Sequence, residues 1–211
     1  RARCSFPTLV IKSLIAAAND GNGRAMVWLG WCYQKGKGVE QDVTEAVEWY
    51  RKGAAAGNGG AMRFLGWCYQ EGKGVEQDLT EAVEWYHKGA ALGDSGAMTG
   101  LGSCYSYGLG VEQNLTEAVA WYRKGAALGD SSAMLNVGVS YQNGLGVEQN
   151  FMEAVEWYRK SVAADGDSAM ANLGACYQQG YGVEQNLTEA VAWYRKGVAK
   201  GNGRAMNGLG Q

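Results

Sequence analysis

The chain of 211 residues is 46% hydrophobic and 19% charged, a composition that supports a folded core and excludes a disordered polypeptide. Its formal net charge is -2 and it has no block of Lys or Arg, which argues against nucleic acid or an anionic membrane as the main partner. The sequence contains no run of about 20 apolar residues of the kind that spans a bilayer.

Residues 1–20, RARCSFPTLVIKSLIAAAND, differ from the rest of the chain. Only their end, IAAAND, aligns with the second-helix endings found downstream. The opening RARCSFPTLVIKSL is similar to the last helix of a protein kinase domain, so two interpretations stay open: a degenerate capping helix, or the tail of a preceding domain. The chain does not begin with Met and ends inside a repeat, and we therefore expect it to be part of a longer protein.

From residue 21 onward the sequence repeats every 36 residues. The stretch WLGWCYQ at 28–34 returns at 64–70, 100–106, 136–142 and 172–178 with some letters held and others changed. A fixed period of this size is typical of stacked-repeat proteins. The copies are 21–56, 57–92, 93–128, 129–164, 165–200 and a partial copy at 201–211.

The first half of each copy predicts an α-helix that ends at a glycine. In the first copy Ala25, Leu29, Cys32 and Tyr33 fall at offsets 0, 4, 7 and 8, which places them on one helical face. Gly36 follows as a predicted C-terminal cap, because glycine adopts the left-handed conformation at little cost.

The second half predicts a second helix that begins after a link at 36–42. Asp42 with Glu45 three residues later is typical of a capping box, and Asp or Asn recurs at this place in every full copy. The predicted apolar face comprises Val43, Ala46, Val47, Tyr50 and Ala54. Gly30 and its equivalents cost roughly 1 kcal/mol each relative to Ala inside a helix, which indicates close backbone approach there. Each hairpin must stack on the next to bury its apolar face.

The pattern A-M-x-x-L-G-x-C-Y-x-x-G-x-G-V-E-Q-[DN]-x-T-E-A-V-x-W-Y-x-K-G-A-A resembles the Sel-one-like repeat, a branch of the tetratricopeptide superfamily, over residues 21–211. The resemblance implies an all-α fold, an α/α solenoid in which antiparallel hairpins form a right-handed superhelix. It also implies a scaffold or adaptor that binds proteins. A related bacterial group ties each hairpin with a disulfide, but this chain has Ala55 and Ala61 or Met62 at those places, so we do not expect that secreted variant.

The reactive side chains predict neither catalysis nor a metal site. Cys32, Cys68, Cys104 and Cys176 occur once per copy on helices about 8–10 Å apart, too far for disulfides or shared zinc, and no CxxC pair exists. We expect buried thiols, no cofactor and no metal. His87 is the single histidine, so no acyl-transfer site can be assembled. Asn114 and Asn186 match glycosylation sequons, but we interpret them as helix caps.

Comparison of the copies predicts a binding face on the first helices. Positions 24, 27, 28, 31 and 35 vary while the packing positions hold, and they share the opposite helical side. In the tetratricopeptide superfamily that side lines a concave groove. The predicted partner-binding residues are Arg24, Val27, Trp28, Trp31, Arg63, Phe64, Trp67, Thr99, Ser103, Tyr107, Leu135, Asn136, Val139 and Asn172. The alternative is that Trp28, Trp31, Phe64 and Trp67 cover one another or pack on a missing upstream domain.

We therefore expect a non-catalytic scaffold that binds a protein or extended peptide and resides in the cytoplasm. The competing hypotheses are a regulatory arm of a kinase-like protein and a secreted repeat protein with hydrolase-like or cell-wall-related activity. The partial C-terminal repeat leaves an apolar face, so end-to-end self-association is a further expectation.

Overall fold

The computed structural model describes residues 8–209, and the side chains from residue 10 to residue 208. All regular structure in this part of the chain is helical. The helices are α1 (Thr8–Asn19), α2 (Gly23–Lys35), α3 (Val43–Ala55), α4 (Gly59–Glu71), α5 (Leu79–Ala91), α6 (Ser95–Tyr107), α7 (Leu115–Ala127), α8 (Ser131–Asn143), α9 (Phe151–Ala163), α10 (Ala169–Gln179), α11 (Leu187–Ala199) and α12 (Gly203–Leu209). The predicted all-α solenoid of paired helices is confirmed.

The chain divides into two compact units, with α1 to α6 in the first and α7 to α12 in the second. In the first unit α2 packs on α3 and α4 on α5 as hairpins, and each hairpin contacts the next. In the second unit α8 packs on α9 and α10 on α11 in the same way. Helix α1 packs on α2 and buries Ile11 and Ala18, so residues 8–19 take the place of a second helix. Residues 1–7, including Cys4 and the first half of the kinase-like stretch, lie outside the described residues.

The predicted caps set the ends of the helices. Gly36 adopts the left-handed conformation with φ 63° after α2, and its backbone N–H donates to the Cys32 carbonyl. Asp42 accepts hydrogen bonds from the backbone N–H groups of Thr44 and Glu45, both at 3.0 Å. Only half of the expected capping box forms, because the Asp42 backbone N–H donates to the Tyr33 carbonyl at 3.0 Å instead of to Glu45. Asn114 and Asn186 likewise cap α7 and α11, as expected.

Close approach within a hairpin depends on glycine opposite a tyrosine ring. A Cβ atom at Gly66 would lie 2.7 Å from Cδ1 of Tyr86, inside van der Waals contact. The equivalent pairs include Gly30 with Tyr50 and Gly138 with Tyr158. The glycine therefore removes the side chain that would separate the two helices, as the repeated glycine predicts.

Four of the buried tyrosines also tie the two helices of their hairpins together by a hydrogen bond to a glutamine. The Tyr50 hydroxyl donates to Oε1 of Gln34 at 3.1 Å, and Tyr158 donates to Gln142 at 2.7 Å. Tyr86 and Tyr194 repeat the contact with Gln70 and Gln178. A polar group is thus satisfied inside an otherwise apolar contact, which fixes the register of the two helices.

Candidate functional site

The first helices form the inner row of the stack in the first unit. Helix α2 contacts α4 and α4 contacts α6, whereas α3 and α5 touch at most marginally. Neighbouring first helices are thus closer together than neighbouring second helices, which puts them on the inner side of the curve. The residues predicted to bind a partner lie on the first helix of each copy.

Trp28 and Trp31 form an exposed corner on α2. Their rings meet edge to face, with centroids 5.6 Å apart and planes at 79°. Trp28 is 53% exposed and Trp31 is half-buried against it. Arg24 lies one helical turn earlier and is exposed. Two perpendicular indoles beside a cation offer an apolar corner with an adjacent positive charge, a composition common at protein-binding hot spots.

The ring of Phe64 packs on the core and is therefore less accessible to a binding partner than the sequence predicts. Its ring stacks on the fully buried Tyr50, with centroids 4.9 Å apart and planes at 9°. The guanidinium of Arg63 lies 4.2 Å from the Phe64 ring centroid and pairs with Asp94 at 3.2 Å. Of the two arginines predicted to flank the aromatic cluster, Arg63 already has a carboxylate partner.

Trp67 and Val27 are half-buried and pack against the core cluster that contains Leu65 and Cys68. Both side chains therefore stabilise the packing of the helices, and each leaves part of its surface exposed to solvent. The four aromatic residues divide accordingly, with Trp28 largely open, Trp31 partly open, and Phe64 and Trp67 engaged in packing between neighbouring copies.

The third copy offers hydroxyl groups that already make backbone contacts within their helix. The Thr99 hydroxyl donates to the Ser95 carbonyl at 3.1 Å, and the Ser103 hydroxyl donates to the Thr99 carbonyl at 3.2 Å. Tyr107, at the end of α6, is 73% exposed.

In the second unit the predicted residues lie on α8 and α10. Leu135 and Val139 are half-buried and pack against the core cluster around Tyr158. Asn136 is half-buried on the same helix. The Asn172 side chain hydrogen-bonds to the Tyr158 hydroxyl, so part of its capacity to bind a peptide is already used within the fold.

The sequence analysis missed a structural role for the variable position shared by Trp28, Phe64 and Asn172. Phe64 stacks on Tyr50, and Gly100 lies on the face of Tyr86. At Phe64 and Gly100 this position therefore covers the tyrosine ring of the preceding hairpin, so its identity there is constrained by that ring as well as by any partner. The sequence does contain a sign of this packing role, because the variable position lies 14 residues after the repeated Tyr of the preceding copy.

Cys32, Cys68, Cys104 and Cys176 are buried free thiols, as expected. Burial raises the pKa of Cys68 to about 12 and the pKa of Cys104 and of Cys176 to about 11. Thiols with raised pKa values are poor nucleophiles and poor metal ligands at neutral pH. Within residues 8–209 no group of His, Cys, Asp or Glu side chains is arranged to hold a metal ion.

Shallow surface cavities lie beside the links between helices. One of about 520 Å³ is lined by residues that include Arg51, Tyr69 and Asp78. A cavity of about 510 Å³ occupies the equivalent place around Tyr141 in the second unit. Arg51 bridges Glu48 at 2.7 Å and the Tyr69 hydroxyl at 3.3 Å, so this cavity is part of the contact between successive copies.

Comparison with known proteins agrees with the repeat seen in the sequence and with the fold. The Sel1 repeat family model matches residues 23–58, 60–94, 95–130, 131–165 and 167–202. The chain therefore belongs to the Sel1 repeat family. It matches none of the curated protein sequences.

Solved structures support the assignment. A Sel1 repeat protein from Oxalobacter formigenes is 32% identical, with a TM-score of 0.83, over 95% of this chain and 88% of that protein. The protective antigen c5321 of uropathogenic Escherichia coli, which displays an SLR fold, is 34% identical with a TM-score of 0.77 over 94% of this chain. This chain covers 42% of that antigen's length. Helicobacter pylori cysteine-rich protein B shares the fold alone, at 23% identity and a TM-score of 0.50 over 62% of this chain and 94% of that protein.

Sel1 repeat proteins are generally non-catalytic scaffolds for protein interaction. In the described part of the chain, none of the helices is long and apolar enough to cross a membrane. The family and the fold class predicted from the sequence are confirmed.

Proposed function

We propose that the chain is a non-catalytic scaffold that binds a protein or an extended peptide on its row of first helices. The observation that carries the proposal is the exposed Trp28–Trp31 corner on α2. The repeat does not require either indole for its fold, since Gly100 and Asn136 replace Trp28, and Ser103 and Val139 replace Trp31.

Three further features support a binding role for this face. The neighbouring Arg24 is exposed and supplies a positive charge at the rim of the corner. Thr99 and Ser103 add polar groups on α6 in the first unit, and Asn136 adds one on α8 in the second unit. Contacts spread over several copies suit an extended peptide, because successive first helices present equivalent positions at a regular spacing.

The test substitutes an exposed residue, so that a loss of binding can be distinguished from a loss of stability. A library of displayed extended peptides is selected against the wild-type protein, and the dissociation constant of the best binder is measured by titration. Trp28→Ala is expected to weaken that binder roughly 30-fold, as for a hot-spot aromatic residue worth about 2 kcal/mol. Because Trp28 is largely exposed, far-UV circular dichroism and the melting temperature are expected to change little.

Leu92→Ala is the matched control, because Leu92 is equally exposed, at 54%, but lies at the end of a second helix. It is expected to leave the affinity unchanged. A double change of Trp31→Ala and Trp67→Ala is also expected to weaken binding, with some loss of stability, since Trp67 packs against the core. Failure to select any binder, or equal losses for Trp28→Ala and Leu92→Ala, would contradict the proposed function.

The cytoplasm is the proposed location, in keeping with the absence of Cys from the positions that the disulfide-tied relatives use.

End-to-end self-association is proposed through the exposed apolar side chains of α11 and α12. Leu187 on α11 and Met206 on α12 are 62% and 53% exposed. Sedimentation velocity over a range of concentrations measures this association, and a single concentration-independent monomer would exclude it.

A further inference from the structure

The junction between α9 and α10 differs from every other described junction that precedes a first helix. At the regular junctions an Asn or Asp side chain accepts a hydrogen bond from a backbone N–H of the first turn, as Asp130 does from Ala133 at 2.7 Å. The same cap is provided by Asn22, Asn58, Asp94 and Asn202. At the fifth copy the equivalent residue is Gly166, which has no side chain to supply it.

The loss of the cap shortens and weakens the start of α10. The helix begins at Ala169, and Ser168, which precedes it in the right-handed conformation, makes no capping hydrogen bond with its side chain. The backbone N–H groups of Ala169 and Met170 donate to the carbonyls three residues earlier, at 3.2 and 3.3 Å. At α8 the Met134 N–H reaches the Asp130 carbonyl four residues earlier at 3.0 Å. Bonds to the residue three earlier indicate a first turn of the tighter 3₁₀ type, in which the hydrogen-bond geometry is poorer than in an α-helix.

The backbone of this junction is also less favourable. Asp165 has a φ of 59°, the single positive φ outside glycine in the described residues. The equivalent places hold glycine in the other copies, for example Gly129 with a φ of 85°. A residue with a Cβ atom in this left-handed region is less stable there than glycine, by roughly 1 kcal/mol.

A second substitution holds the irregular junction in place. Ser161 stands where other copies have the glycine represented by Gly125, is fully buried, and donates its hydroxyl to the Ser131 carbonyl at 2.8 Å. A Cβ atom at Gly166 would collide with the Ser161 hydroxyl. The Ser161 hydroxyl and the Ser161 backbone carbonyl, 2.6 Å from that Cβ position, together exclude a capping side chain at residue 166 in this backbone conformation.

Contacts across the junction are reduced as well. First helices touch in the pairs α4 with α6 and α10 with α12, whereas α8 and α10 touch at most marginally. On the other side, Asn202 donates to the Asp167 carbonyl at 2.9 Å and Lys200 lies 3.9 Å from the Asp167 carboxylate. The segment before α10 is therefore bonded to residues that follow α11, while it lacks the side-chain cap found at the other junctions.

We propose that residues 164–168 are a hinge at which the α8–α9 hairpin and the α10–α11 hairpin of the second unit separate more readily than the α2–α3 and α4–α5 hairpins of the first unit. Repeat proteins open locally where the interface between copies is weakest, because each copy contacts only its neighbours. The hinge lies between the helices that carry Asn136 and Asn172, so its opening changes the spacing of these two side chains. The proposed hinge does not depend on the proposed function.

Hydrogen exchange measured by mass spectrometry on the full chain tests the hinge. We compare the protection factors of amides 169–172 with those of the equivalent amides 133–136 in α8, and expect at least fivefold lower protection at α10. A variant with Ser161→Gly, Asp165→Gly and Gly166→Asn restores the pattern of the other copies, and is expected to raise protection at 169–172 to the level of 133–136. Asp130→Gly, which removes a regular cap, is expected to lower protection at 133–136.

Two results would overturn the hinge. One is wild-type protection at 169–172 equal to that at 133–136, and the other is faster or unchanged exchange at 169–172 in a folded restored variant. If the triple variant fails to fold, Asp165→Gly alone decides the question, because it touches no packed side chain and must still raise protection at α10. A melting temperature measured for each variant confirms that the exchange reports a folded protein.

Discussion

Gly66→Ala is expected to destabilise this protein even though alanine is the better helix former. The added Cβ atom would lie 2.7, 2.8 and 3.0 Å from Cδ1, Cε1 and Cγ of Tyr86. That ring cannot swing away, because it is buried and its hydroxyl is hydrogen-bonded to Gln70 at 3.1 Å. Overpacking of a core contact costs about 1–3 kcal/mol, and the gain in helix propensity offsets about 1 kcal/mol. The expected net loss is about 1 kcal/mol.

Urea unfolding followed by far-UV circular dichroism measures this loss as a lower midpoint at an unchanged slope. Gly203→Ala is the control, because a Cβ atom at the start of α12 would meet open space. There the midpoint is expected to stay the same or to rise slightly. The reasoning is refuted if Gly66→Ala is as stable as the wild-type protein, since the glycine would then not be required for the approach of α4 and α5.

The remaining predictions concern the buried tyrosines and thiols. Tyr50→Phe leaves Oε1 of the buried Gln34 without its 3.1 Å donor and is expected to cost about 1–2 kcal/mol in urea unfolding; equal stability would show that the hydrogen bond does not tie the hairpin. Burial raises the pKa of the Cys68 thiol from 9.0 to about 12, so the folded state holds this proton more tightly than the unfolded state. The corresponding stability is complete below about pH 9 and is lost as the pH rises towards 12. Unfolding at pH 8 and at pH 10.5 measures the decrease, which Cys68→Ala is expected to diminish, and a stability that rises with pH would contradict it. At pH 8 the thiols of Cys32, Cys68, Cys104 and Cys176 are expected to resist a maleimide reagent until the chain unfolds, and rapid labelling of these four in the folded protein would show that they are accessible.

Much of the fold follows from local sequence signals. The 36-residue period, the glycine after each first helix and the Asp or Asn before each second helix predict the helices and their ends. These signals work because caps and helical faces depend on residues three or four positions apart. Only half of the predicted capping box forms, because the Asp42 backbone N–H donates to the Tyr33 carbonyl across the link between α2 and α3.

The candidate site was harder to predict, because variation between copies does not distinguish a free surface from an altered packing contact. The same variable position is an open indole at Trp28, a ring stacked on Tyr50 at Phe64, and an amide bonded to Tyr158 at Asn172. Which of these arises depends on the neighbouring copy. The assignment of these residues to partner binding remains a prediction for the titration and its Trp28→Ala variant.

The sequence by itself determined the repeat, the helices within it and the family to which the chain belongs. These features depend on a short-range periodicity that recurs in each copy. Only the tertiary structure decided which of the varied side chains remain exposed, that Arg63 is paired with Asp94, and that α10 begins without its side-chain cap. The physical reason is that burial, ion pairing and the fit between Ser161 and Gly166 arise between segments that meet only after the hairpins have stacked.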